Sequence, residues 1–443
     1  MASTTVWRIL VFLFTSCEWS KGDIFSSTSL KPVSIFNASY YNPNMTEQEA
    51  KTHFLEFGIK SGRRIHAGRR ILKIALMTKN EYPLIESWVL YHGNIFGFKN
   101  LYIFDVSTEE NAMLYLANAA VSLGINVYFS TNNLWQQIDS IASTLRSLRE
   151  SCDFVIKMDT DEFVAVFNDE TKEISIDKET VLSQFDNLPY DGSKYRNGFE
   201  LINLLENINC TWTDASSKAN YFDVEHTPKS FFPSWTFKTV DLGGHFGEVL
   251  APFNNSFSHL TNMSFLHYHW ACYNHYLTLC RSVAVGHHYL NGNENPSDEF
   301  TKLVELSKDF PQVCAHQNSC HKNYELYLSY KDPTKHRETY RKRSGVKNKK
   351  AIQFNSMIER LEKLRKEYSF VYKSPSEIFD GRLVVVFGLQ KFNRPSYYII
   401  KNSTSHGFSS WDHFLSYKFP VESSIHLLKS VFETIPQGGI YQP

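Results

Sequence analysis

The chain has 443 residues, and its Lys plus Arg and Asp plus Glu are balanced at 46 each. A single hydrophobic core stops growing at roughly 250–300 residues, so one large domain with smaller attachments is expected. With no net charge there is no overall field to draw polynucleotide or an anionic membrane surface, and no nucleic-acid partner is expected.

The N-terminus carries one basic residue, Arg8, ahead of an apolar run from Ile9 to Phe14. A spanning helix needs about 20 apolar residues. Residues 1–20 therefore read as a signal-like segment, with a buried N-terminal helix as the alternative. Membrane association stays open without a clear spanning helix. Asn37, Asn44, Asn209, Asn254, Asn262 and Asn402 each stand in a glycosylation sequon, which accords with the lumen of the secretory pathway (ER or Golgi) or with secretion. Loss of the segment holding Cys17 would leave Cys152, Cys210, Cys272, Cys280, Cys314 and Cys320. Such a set permits disulfides, Cys314 with Cys320 first, and free thiols in a reducing compartment are the alternative.

Residues 21–69 read as a polar tether followed by a small helical module. Across Phe36–Thr46, Glu47–Gly58 and Gly62–Arg64 the apolar positions suit two small helices, with Thr46 as a cap before Glu49. The pattern Phe36, Tyr40-Tyr41, Asn42-Pro43, His53-Phe54, Gly58 and Gly62-Arg63 resembles a short module found beside glycosyltransferase domains.

From residue 70 apolar strands and amphipathic helices alternate. Strands are expected at Ile71–Met77, Leu101–Asp105, Val127–Ser130 and Phe154–Met158, and helices at Leu84–Ile95, Asn111–Leu123 and Ile138–Arg149. That order predicts an α/β domain over residues 70–330, a mostly parallel, Rossmann-like sheet with helices on both faces. Such sheets bind ligands at the carboxyl ends of their strands, where this chain places Asn80-Glu81, Asp105 and Asp159-Thr160-Asp161. Further strands are expected near Phe231, Phe237 and Phe265–His269. Residues 331–350, rich in Lys and Arg, read as a basic linker. Residues 351–443 hold a helix striped by Ile352, Met357, Ile358, Leu361 and Leu364, then a small α/β region of unassigned role.

Two aspartates one residue apart in an extended segment project to the same side. Placed after a buried strand they suit Mn2+ or Mg2+, which take oxygen ligands together with substrate phosphates, and a bound cation would neutralise a departing diphosphate. Solvated turn aspartates are the plainer alternative. Four stretches in order, Ile74–Glu81, Ile85–His92, Gly97–Asp105 and Asp159–Phe163, resemble glycosyltransferases of families 2 and 92, which have the GT-A fold. The resemblance implies a nucleotide-sugar donor, UDP-linked by expectation, and a glycan or glycoprotein acceptor. It implies that Asn80 and Glu81 line the nucleotide site, that Asp105 lies near base or ribose, and that Asp159 and Asp161 serve metal and ribose-diphosphate. Val106, where the family commonly has Asn, departs from the pattern. Trp88 and His92 share a helical face that suits packing.

The stretches Pro228–Phe232, Gly243–Gly247 and Leu266–His269 resemble later blocks of the same family. His267 and His269 are candidate metal ligands, against strand histidines bonded to neighbours. His245, between glycines, is a candidate acceptor contact or a turn residue. Asp241 is the candidate base for an inverting transfer, with Glu162, Asp223 and Glu248 as alternatives. A non-catalytic glycan-binding or scaffolding descendant is the rival reading. A nucleotidyltransferase is disfavoured because no Gly-rich loop follows the first strand.

Overall fold

A computed structural model describes residues 33–82, 84–130, 134–204, 221–225, 229–251, 253, 258–268, 352–354, 356–387, 389, 395–419 and 424–442. The chain divides into two compact units. One comprises Ser26–Val127 and Thr131–Tyr372, and the other centres on Lys373–Pro443. The signal-like segment, the basic linker, His269 and every cysteine except Cys152 lie outside the described residues.

The larger unit begins with helices α1 (Ala38–Tyr41) and α2 (Glu47–His53), followed by a π-helical turn at Phe54–Gly58. Thr46 and Glu49 form the expected reciprocal capping box. Phe54, fully buried, meets Tyr41, Phe36 and Trp235 edge-on, with centroids 5.8, 5.8 and 5.4 Å away. Each such pair adds about 0.5–1.5 kcal/mol beyond the area it buries. Gly58 is required here, because a Cβ would meet the Tyr41 hydroxyl at 2.4 Å.

The α/β elements follow in chain order: β1 Leu72–Thr78, α3 Leu84–Phe96, β2 Leu101–Asp105, α4 Glu110–Leu123, β3 Asn126–Phe129, α5 Leu134–Ser147 and β4 Phe154–Met158. Strands β1, β2 and β4 are buried along nearly their whole length, as expected of strands covered on both faces. Next come β5 Glu162–Asn168, β6 Glu173–Ser175, α6 Lys178–Asp186, β7 Lys194–Leu204, β8 Tyr221–Glu225, β9 Ser230–Pro233, β10 Phe237–Val240, β11 Gly247–Val249 and β12 Ser258–His267. A short β13, Ile352–Gln353, and α7, Ser356–Glu367, complete the unit.

The large sheet runs β3-β2-β1-β4-β9-β7-β12-β5-β6, with β8 and β13 branching from β7. Strand β1 pairs parallel with β2 and β4, giving the Rossmann-like half of the expected GT-A-like α/β fold. Beyond β4 the sheet is mixed. Strand β9 lies antiparallel to β4 and β7, whereas β12 is parallel to β7 and antiparallel to β5. Helix α7, which the sequence grouped with the C-terminal region, packs in this unit. Arg360 and Arg365 reach Asn94 and Ser87 of α3, and the Asn94 side-chain amide donates to the Tyr368 hydroxyl.

The smaller unit contains α8 Pro375–Ile378, β14 Leu383–Val386, β15 Ser396–Lys401, β16 Thr404–Gly407, α9 Trp411–Ser416, β17 Ile425–Leu427, α10 Lys429–Glu433 and β18 Gln437–Ile440. Its sheet runs β17-β14-β15-β16-β18. Among the described residues no helix is long and apolar enough to cross a membrane.

Candidate functional site

Strand β4 ends in a turn, closed by the Glu162 N–H donating to the Asp159 carbonyl at 3.2 Å, and the chain then reverses into β5. This turn carries Asp159, Thr160 and Asp161. Thr160 donates through its hydroxyl to Glu81 Oε2 at 2.5 Å, and Thr78, at the end of β1, donates to the same oxygen at 2.8 Å. The expected rim of strand-end carboxylates therefore exists around Glu81 and the Asp159 turn. Burial, with Asp161 and Asp159 nearby, pushes the Glu81 carboxyl up to about 7 against those two hydroxyl bonds.

Asn80 and Asp105 are one step removed. Asn80 adopts a left-handed φ of 56°, and its Oδ1 accepts from the N–H groups of Thr108 and Glu109 at 2.7 and 3.1 Å. Its own N–H donates to the Ser107 hydroxyl at 2.8 Å. Asn80 thus ties the loop after β1 to the loop after β2. Asp105 is buried, accepts from the Ser107 N–H at 3.0 Å, and is pushed up to about 6 by burial.

Asp159 is clamped by two lysines. Lys157 donates to Oδ1, and Lys229 to Oδ2 at 2.5 Å and to Glu162 Oε2 at 2.7 Å. The lysine side chains are 1% and 2% exposed, whereas that of Asp159 is 37% exposed. Burial alone would raise the Asp159 carboxyl; the two ammonium groups overcome it and hold the group below the usual carboxylate range. Lys229 is raised in turn, Asp159 and Glu162 more than offsetting its desolvation. Gly244, at φ +71°, presses on this clamp, because a Cβ would stand 2.8 Å from the Lys157 carbonyl and 3.2 Å from Lys229 Cδ.

Asp161 faces His267, with Oδ2 and Nε2 3.2 Å apart, and His267 Nδ1 bonds Glu200. Sheet register explains the convergence. His267 lies opposite Glu162 across β12–β5, and Glu200 lies opposite Phe265 across β12–β7, two residues from His267 and so on the same face. One ligand atom from each of Glu162, Glu200 and His267 falls within 4.8 Å of the others. Burial would lower the His267 pKa, but Asp161 and Glu200 hold it well above its ordinary value. Burial, reinforced by Asp159 and Asp161, pushes Glu162 up to about 7 despite Lys229.

These oxygen and imidazole donors suit Mn2+ or Mg2+ on the Asp161 side. Asp159 suits it less. A divalent ion on either of its oxygens would stand about 4 Å from an ammonium, a repulsion on the order of 8 kcal/mol per lysine at an effective dielectric of about 20. His269, the second expected histidine ligand, lies outside the described residues.

The acceptor-side candidates occupy the β10–β11 hairpin. Asp241 Oδ1 accepts from the Phe246 N–H at 2.8 Å, and its backbone N–H and C=O bond Phe246 and Gly244. His245 offers its carbonyl to the Ser230 hydroxyl at 2.8 Å. Both residues thus shape the turn that seats Gly244. His92 is the core histidine expected. Nδ1 faces the Trp88 carbonyl at 3.0 Å, Nε2 accepts from the Val164 N–H at 3.3 Å, and burial lowers its pKa to about 3. Cys152 is a free buried thiol pushed up to about 12, so it takes no part in a disulfide framework.

Sequence reasoning passed over Lys157, Lys229 and Glu200 as site residues. The available signal was a charge inside an apolar strand run, as in Phe154-Val155-Ile156-Lys157-Met158 and Gly198-Phe199-Glu200-Leu201-Ile202.

No family model and no curated protein matches this chain. Among solved structures, S. aureus TarS 1-349 is similar at 13% identity and a TM-score of 0.27, covering 64% of this chain and 97% of that one. The same protein in complex with UDP-GlcNAc gives the same values. A putative glucose-1-phosphate thymidylyltransferase from Bacillus anthracis reaches 9% identity and a TM-score of 0.21, covering 37% and 72%. Likenesses this loose carry no argument about activity.

Proposed function

We propose that the larger unit is a glycosyltransferase that takes a nucleotide-sugar donor, UDP-linked, and transfers the sugar with inversion to a glycan or glycoprotein. The observation that carries this reading is the Asp159–Asp161 turn at the carboxyl end of β4, on which Glu81 converges from β1 and His267 from β12. In this reading Mn2+ or Mg2+ is held by Asp161 and His267 with Glu200, because Glu162 shares Lys229 with Asp159. When bound, such a cation neutralises negative charge on the departing diphosphate. Asp159 offers the donor an ionised acceptor, and Glu81 holds the turn through Thr160. Asp241 is the candidate base, oriented by its bond from Phe246.

The secretory reading gains support from the four described sequon asparagines, Asn37, Asn44, Asn262 and Asn402, which are all exposed. The decisive experiment screens nucleotide-sugars with the purified chain and Mn2+, by thermal shift and by release of nucleoside diphosphate. At least one UDP-sugar should stabilise and turn over, and Asp161→Asn should abolish turnover while circular dichroism stays native. A chain that no nucleotide-sugar stabilises in the presence of metal refutes the proposal. Glycan binding without donor or metal would instead favour a non-catalytic scaffold.

A further inference from the structure

Two lysines, both almost wholly removed from solvent, end on the two oxygens of one partly exposed carboxylate. Lys157 is the penultimate residue of β4 and Lys229 the residue before β9, strands that pair antiparallel. Lys229 is itself anchored, since its N–H donates to Asn197 Oδ1 and its carbonyl accepts from the Asn197 N–H at 3.2 Å. Gly244 closes over both side chains.

We infer that Lys157 and Lys229 are positioning residues for Asp159, which they fix in one orientation as an acceptor for the donor and withdraw from metal ligation. The inference rests on the glycosyltransferase reading and divides its aspartate pair: Asp159 serves the donor alone and Asp161 serves the metal. An ionised carboxylate has about four acceptor directions, and one ammonium on each oxygen leaves the others available to donor hydroxyls. The same ammonium groups repel a divalent ion from those oxygens. Asp161 and Glu200 meet the His267 imidazole, and Glu162, beside them, shares Lys229 with Asp159 through its Oε2.

The test measures Mn2+ binding by electron paramagnetic resonance and UDP binding by calorimetry, on the full chain and on Asp159→Asn, Asp161→Asn, Lys229→Met and the Asp159→Asn/Lys229→Met double variant. Asp159→Asn should keep Mn2+ affinity within about twofold while UDP affinity falls at least about tenfold, the scale of a lost charge-assisted hydrogen bond. Lys229→Met should reproduce the UDP loss, and the double variant should be no weaker than either single one, because the lysine acts through the aspartate. A merely structural lysine would give losses that multiply. Asp159→Asn needs no lysine change, so it tests the division even if Lys229→Met fails to fold. Loss of Mn2+ binding in Asp159→Asn to the extent seen in Asp161→Asn would overturn the inference and leave the donor reading standing. A wild type that binds no UDP would overturn both. A wild type that binds UDP without Mn2+ would remove the metal half, and the lysine coupling would still be decided by the UDP affinities.

Discussion

Glu81→Gln removes a titration without removing the hydrogen-bond geometry, since Gln keeps an oxygen for the Thr160 and Thr78 hydroxyls. In the folded protein burial lifts Glu81 from its ordinary 4.5 to about 7, so between those values the native state holds a proton that the unfolded chain has released. Stability must then fall as pH rises through this window, the reverse of a salt-bridged carboxylate. The full climb corresponds to about 3 kcal/mol, of which about 2 kcal/mol is lost between pH 5.5 and pH 8. Glu162, also raised to about 7, slopes the same way, and His267, raised above its ordinary value, loses its contribution as pH climbs towards its folded value. The wild type should therefore weaken from pH 5.5 to 8 through these groups and Asp105, partly offset by His92, which burial keeps neutral, and Glu81→Gln should weaken less by about 2 kcal/mol. Urea unfolding at several pH values in EDTA reads this difference directly. Parallel stability–pH curves for the two proteins would refute the placement of Glu81 beneath the aspartate turn.

Two further outcomes follow from particular contacts. Gly244→Ala combines a left-handed φ of +71° with a Cβ 2.8 Å from the Lys157 carbonyl, so it should cost roughly 2–5 kcal/mol in urea unfolding, and an unchanged midpoint would contradict the seating of this turn on the lysines. Asn44 and Asn402 are exposed in turns. Expression through the secretory pathway of a cultured cell should therefore yield a chain whose mobility increases after peptide-N-glycosidase treatment, and Asn→Gln at both should reduce that shift.

The parallel half of the large sheet was legible because each element announces itself locally. Runs such as Leu101-Tyr102-Ile103-Phe104 are too apolar for any surface, and the helices between them repeat at 3.6 residues. Strand β4 was read with the boundaries observed, β1 was shifted by one residue, and the Asp159 turn fell at the expected rim. Beyond β5 the sequence offered only fragments, and the pairing there depends on partners far apart in the chain. Nothing near Glu200 or Lys229 announces that β9 enters antiparallel between β4 and β7, or that β12 enters between β7 and β5. Local periodicity fixes which face a residue takes, and register across such distances does not follow from it.

That difference also explains which site residues were found. Asp159 and Asp161 have only Thr160 between them, so a motif exposes them. Their partners are not revealed this way: Lys229 arrives from just before β9 and His267 from the end of β12, and Lys157 sits two residues from Asp159 yet inside a strand whose apolar neighbours disguise it. A buried lysine in a sheet interior needs acceptors within reach, hydroxyls for Lys73 and a carboxylate for Lys157, because an uncompensated ammonium there costs several kcal/mol. The reverse deduction was therefore available. Lys157, next to the end of an apolar strand that Asp159 follows, could have named its partner from sequence alone, since a side chain two residues on projects to the same face. The same logic separates the two aspartates chemically. The aspartate in phase with Lys157 along the strand is the one that carries ammonium partners, and Asp161, further round the turn, meets an imidazole instead.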